Sequence, residues 1–170
     1  MIKYFKHSYL FGLVGAALCL LAFWVFHWVD LDPVDFTLFF ACMITPIFVF
    51  VGIKNFRDTQ NGQELVFAQG MTVGFVIYGL IAVLASLGVW SFLHMDSSIF
   101  MEYRTTKLEW LKNQESYISE NVSPKAFEDT WAESEKMSIG DIALDIFLKI
   151  FMLELFFTII ISIILKRTKK

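Results

Sequence analysis

The stretch from Lys149 to Lys170 reads KIFMLELFFTIIISIILKRTKK. An aliphatic and aromatic run holds one carboxylate, Glu154, and then breaks into a basic tail of Lys166, Arg167, Lys169 and Lys170. A helix on the surface of a water-soluble domain is apolar along one stripe only. This run is apolar all round, and about 20 such residues cross the hydrocarbon core of a bilayer. The expected span is 143–165.

Three further runs of the same kind lie upstream, at 9–28, 36–53 and 69–93. The chain of 170 residues is 56% hydrophobic, 17% aromatic and 18% charged, with a mean hydropathy of +0.59. A soluble domain of this length is about one quarter charged, so long apolar runs account for the surplus. The fold class expected is an all-α integral membrane protein with four transmembrane helices, forming a single membrane domain over 1–170. Pro46 in the second run removes a backbone donor and predicts a local rearrangement there. The first run has Lys3 and Lys6 ahead of it, as a signal peptide does. It is too long for one, carries Trp24 and Trp28, and has no small-x-small cleavage site, so it reads as a retained span.

Lys and Arg in the loops set the direction. Lys3 and Lys6 precede the first run, Lys54 and Arg57 follow the second, and the basic tail follows the fourth. The loop between the first two runs holds Asp30, Asp32 and Asp35 and no basic residue. Both termini are therefore expected in the cytoplasm. The segment at about 97–137 is expected outside as a two-helix insertion. One helix runs from Ile99 to Ile118, with Phe100, Tyr103, Trp110, Leu111, Tyr117 and Ile118 on one side. Ser123 as N-cap and Pro124 at the first helical position then start a second helix, to about Glu135. These helices would lie on the membrane surface, cap the bundle or dock a partner.

Lipid gives helices no hydrophobic reason to associate, so close packing rests on small residues. Ser8, Gly12 and Ala16 repeat every fourth residue on span one, as do Gly70 and Gly74 on span three. Matching depth predicts that spans one and three cross closely at those stripes.

Between spans two and three the sequence runs VGIKNFRDTQNGQELVFAQGMTVG. Asn61-Gly62 suits the central pair of a type I′ turn, where both residues need positive φ. Lys54 and Arg57 can meet lipid phosphates, and Arg57 can pair with Asp58. Gly52, Lys54, Arg57, Asp58, Asn61 and Gly62, with Phe56, Phe67 and Gly70, resemble the signature of the bacterial membrane family called domain of unknown function 4199. That resemblance implies four spans, with this stretch after the second, in a bacterial inner membrane. It implies no activity and no catalytic residue. The chain departs from the family pattern at Asn61, where Gly-Gly is frequent, and at Val66, where serine is frequent.

No phosphate-binding glycine loop, metal-protease helix or nucleophile elbow is present, and no catalytic residue, cofactor or metal site is assigned. Cys19 and Cys42 lack ligand spacing and read as small buried hydrophobes. His27 and His94, near Asp30 and Asp96, read as interfacial groups rather than a zinc set. The net charge of -3 and the lack of a basic stripe exclude nucleic acid. Asp145 and Lys149 sit four apart in the favourable order for an ion pair on span four. Glu154 is roughly 180° around the helix from Asp145, at about 100° per residue, so that pair cannot serve it. A carboxylate at this depth costs at least about 2.5 kcal/mol. Protonation, a polar partner or a water-filled cavity would relieve it, and Thr45 and Tyr78 match its depth.

The function expected is an accessory, scaffold or complex-subunit role without catalysis, as a homo-oligomer or with an unidentified membrane-protein partner in the lipid bilayer. The alternative is a small proton- or cation-coupled transporter or channel subunit working through Glu154.

Overall fold

The computed structural model describes residues 2–168; Lys169 and Lys170 of the basic tail lie outside the described residues. Among the described residues seven α-helices follow one another: α1 Ile2–Trp28, α2 Pro33–Asn55, α3 Phe67–Met95, α4 Ser97–Asn113, α5 Glu115–Asn121, α6 Pro124–Lys136 and α7 Ile139–Leu165. A single π-helical turn, Phe56–Gln60, extends α2. α1, α2, α3 and α7 are each long and apolar enough to cross a membrane. Each is longer than its apolar run, and polar residues cap the starts of α2 and α7. Asp32 accepts from Val34 N–H at 2.8 Å and Asp35 N–H at 3.0 Å, with Pro33 at the first position of α2. Ser138 and Asp141 cap α7 reciprocally. Asp141 Oδ2 accepts from Ser138 N–H at 2.8 Å, and Ser138 Oγ accepts from Asp141 N–H at 3.2 Å, the pattern of a capping box. α2 continues through Pro46 without a break in its helical assignment.

The chain divides into two compact units, Met1–Val89 with Leu144–Lys170, and Trp90–Ala143. The first unit holds α1, α2 and most of α3 and α7. Half of the most apolar window of α3 is buried, against a third in each of the other three long helices, so α3 is the central member. Glycines let its neighbours approach. A Cβ on Gly12 of α1 would lie 2.8 Å from Leu80 Cβ and 3.1 Å from the Ile77 carbonyl of α3. A Cβ on Gly52 of α2 would collide with Ile77 Cδ1. Ser8 and Ala16 are buried on the same α1 face. The sequence paired Gly70 and Gly74 with that α1 stripe, and the packing corrects this. Gly70 meets Ser162 and Gly74 meets Thr158, both on α7. Spacing along a helix places small residues on one face, but it does not say which neighbour that face meets.

The outward faces of the four long helices are as apolar as the inward ones. Leu10, Leu21, Phe39, Ile47, Phe156 and Ile164 are all exposed. Contiguous exposed apolar surface on this scale is foreign to water-soluble monomers.

In the second unit α5 packs on α6, and α6 on α4. Ile99, Tyr103 and Leu111 form its buried face. Ser123 Oγ accepts from Ala126 N–H at 3.1 Å, with Pro124 next, as the sequence predicts. The helix expected over Ile99–Ile118 is instead two. Gln114 leaves helical geometry (φ -99, ψ 5), and the break gives α5 its own direction for packing on α6.

Candidate functional site: a polar seam between α3 and α7

Among the described residues, Glu154 is the only fully buried carboxylate, at 0% exposure. Neither of its oxygens has a hydrogen-bond partner among the described residues. Thr158 and Ser162 follow at four-residue steps on the same face of α7. Both are fully buried, and neither hydroxyl is partnered. Across the seam on α3 stand Gly70, Gly74 and Tyr78, and the Tyr78 hydroxyl is buried and unpartnered as well. Tyr78 packs edge-on against Phe151 of α7, centroids 5.3 Å apart.

Depth alone offered Thr45 and Tyr78 as partners for Glu154. Thr45 is fully buried but donates to Ala41 O of its own helix at 2.7 Å. Tyr78 shares the seam without bonding the carboxylate. Thr158 and Ser162 escaped the sequence reading, although their spacing from Glu154 was visible in it. Helical hydroxyls elsewhere turn back on the carbonyl four residues before, as at Ser8, Thr45, Thr59, Thr72, Thr105 and Thr130. Thr158 and Ser162 do not, and Thr37 of α2 is a further exception. Buried polar atoms ordinarily find a partner, and an orphan costs about 1–3 kcal/mol. Four such side chains along one seam mark it as a place built around polar groups rather than apolar fit.

The Asp145–Lys149 pair forms at 2.6 Å on an exposed part of α7 and stands apart from the seam.

The α2–α3 segment contacts the first turns of α1 and the end of α7 with Arg167 beyond it. Phe56, 1% exposed, is surrounded by Tyr4 (centroids 5.3 Å apart), His7 (6.5 Å) and the Lys3 ammonium (5.8 Å) of α1. Lys3 Nζ also donates to Gln60 O at 3.1 Å. Leu65 N–H donates to Arg167 O at 2.7 Å, and Arg167 N–H to Leu65 O at 3.0 Å. Arg57 bonds Asp58 Oδ1 at 2.7 Å and reaches Leu165 O at 3.5 Å, the last carbonyl of α7. Lys54 is exposed. Asn61 Nδ2 donates to Glu64 O at 2.8 Å and Gln69 Oε1 at 2.9 Å. The turn differs from the one expected. Positive φ falls at Gly62 (+59) and Gln63 (+65), and Glu64 N–H bonds Asn61 O at 3.0 Å. The central pair is therefore Gly62-Gln63, one residue later than expected, because the Asn61 side chain is committed to holding the loop closed.

His94 lies over Trp90, with Nδ1 2.8 Å from Trp90 O, and His27 packs on Trp24. The second unit carries a cleft of about 390 Å³ lined by Lys112, Glu115, Phe127, Glu128 and Trp131.

The fold and its apolar exterior define the class: an all-α protein with four helices long and apolar enough to cross a membrane. The family profile described as Protein of unknown function (DUF4199) matches residues 10–167, and the chain belongs to that family. Comparison with curated proteins and with solved structures gave no significant match.

Proposed function

We propose that this is a four-span protein of the bacterial inner membrane, with both termini cytoplasmic and 97–137 outside, that works through Glu154 as a proton-exchanging group in a small proton- or cation-coupled transporter or channel subunit. The observation that carries the reading is the carboxylate itself, fully buried and without a partner among the described residues. An ionisable group held in a membrane interior is expensive, and such groups mark ion or proton pathways by default. Tyr78, Thr158 and Ser162 supply hydroxyls that can donate to the ionised form or accept from the protonated one. The reading assigns no catalysis. The test is ion and proton flux in proteoliposomes. Glu154→Gln is expected to abolish flux that the unaltered chain supports. No flux from either, or equal flux from both, overturns the reading.

A second reading, a subunit of a larger membrane complex, is supported by a different observation. Met101, Trp110, Tyr117 and Val122 are exposed on α4, α5 and the link to α6, elements outside the four candidate spans. Gentle solubilisation that recovers a second membrane protein in fixed proportion supports it; recovery of this chain alone as a monomer removes it.

A further inference from the structure

The cleft of about 390 Å³ in the second unit carries charges of both signs over an aromatic wall. Phe127 and Trp131, four apart on α6, make that wall. Their ring centroids lie 5.9 Å apart at an interplanar angle of 38°, and both side chains are partly buried. Glu128 follows Phe127 on α6, and Lys112 and Glu115 line the cleft from the end of α4 and the start of α5. Lys112 and Glu115 are three residues apart, a spacing that pairs opposite charges on an unbroken helix. Gln114 between them leaves helical geometry (φ -99, ψ 5). Among the described residues none of the three charged side chains joins an ion pair or a side-chain hydrogen bond. One ammonium and two carboxylates therefore border one cleft without neutralising each other.

We infer that this cleft binds a small zwitterion with an apolar side chain, of the α-amino-acid type. The ligand carboxylate lies on Lys112, its ammonium on Glu115 and Glu128, and its side chain on Phe127 and Trp131. The charges select the class. A simple cation would meet Lys112 and a simple anion would meet two carboxylates, whereas a zwitterion offers each group its opposite. The aromatic wall selects the side chain, since rings cover apolar groups and also favour an ammonium near their faces. The volume lies within the range of about 300–1,000 Å³ usual for small-molecule sites. The site belongs to the second unit and does not draw on Glu154.

The test titrates the full-length protein in detergent micelles, with its five tryptophans replaced by 5-fluorotryptophan, and reads fluorine NMR. Trp131→Phe identifies the resonance of Trp131. Three probes are compared: L-phenylalanine, L-phenylalaninamide, which lacks the carboxylate, and N-acetyl-L-phenylalanine, which lacks the ammonium. L-phenylalanine is expected to shift the Trp131 resonance saturably. Each of the other two should bind at least about tenfold more weakly, the usual effect of losing a contact to a charged group. Lys112→Met is expected to abolish the preference over the amide. Glu115→Gln with Glu128→Gln should abolish the preference over the N-acetyl compound. Equal binding of the three probes, a saturable shift from none of them, or shifts that spare Trp131 overturn the proposal. So do preferences that survive both sets of substitutions. The probe series on the unaltered chain decides even where a variant fails to fold.

Discussion

Gly74 of α3 lies against the methyl group of Thr158 of α7, so close that a Cβ at position 74 would overlap it. Four residues earlier Gly70 meets Ser162, where a Cβ would lie 2.7 Å from the hydroxyl oxygen. The seam that holds Glu154 is therefore shaped by two missing side chains on α3 and two short hydroxyl side chains on α7.

Gly74→Ala is expected to destabilise the bundle by about 1–3 kcal/mol, the usual cost of overpacking. Thr158→Ser removes the methyl group it strikes and should recover most of that loss. Gly79→Ala, on the same helix with nothing within 4 Å of its added Cβ, is the neutral control. Denaturant titration in detergent micelles reads all three, and equal effects at 74 and 79 would contradict the packing.

Replacing Glu154 with methionine should stabilise the fold. The substitution keeps side-chain length and removes two buried oxygens that have no partner among the described residues, worth about 1–3 kcal/mol. Sites held for function commonly gain stability when their polar group is removed. Thermal unfolding in micelles checks this, and a loss of stability would mean that the carboxylate is satisfied in the folded protein.

Phe56→Ala is expected to cost about 3–5 kcal/mol, as for other buried phenylalanines. The loss should be local in its first effect, because Phe56 holds Tyr4, His7 and Lys3 at the start of α1. Hydrogen exchange should accelerate over the first turns of α1 before the rest of the bundle responds.

Gln63 is a non-glycine residue with φ +65, in a region that costs roughly 1–2 kcal/mol for an ordinary side chain. Gln63→Asn should stabilise by up to about 1 kcal/mol, since asparagine tolerates that geometry better. Gly62→Ala should destabilise by more than about 1 kcal/mol. The two melting temperatures are expected to move in opposite directions.

The sequence by itself determined the four long helices, their order and the capped start of α6. These depend on local quantities: the length of an apolar run, a Ser-Pro start, the four-residue step from Asp145 to Lys149. It also marked Glu154 as the residue that needs explaining. Tertiary structure alone decided what surrounds that residue. Thr45 is turned to its own helix, Gly70 and Gly74 face α7 rather than α1, and Thr158 and Ser162 complete the seam. The same holds for the one-residue shift of the turn to Gly62-Gln63 and for the break at Gln114. The physical reason is common to all of them. Helical periodicity fixes which residues share a face, whereas the rotation of each helix against its neighbours fixes what that face meets, and side chains distant in sequence set that rotation.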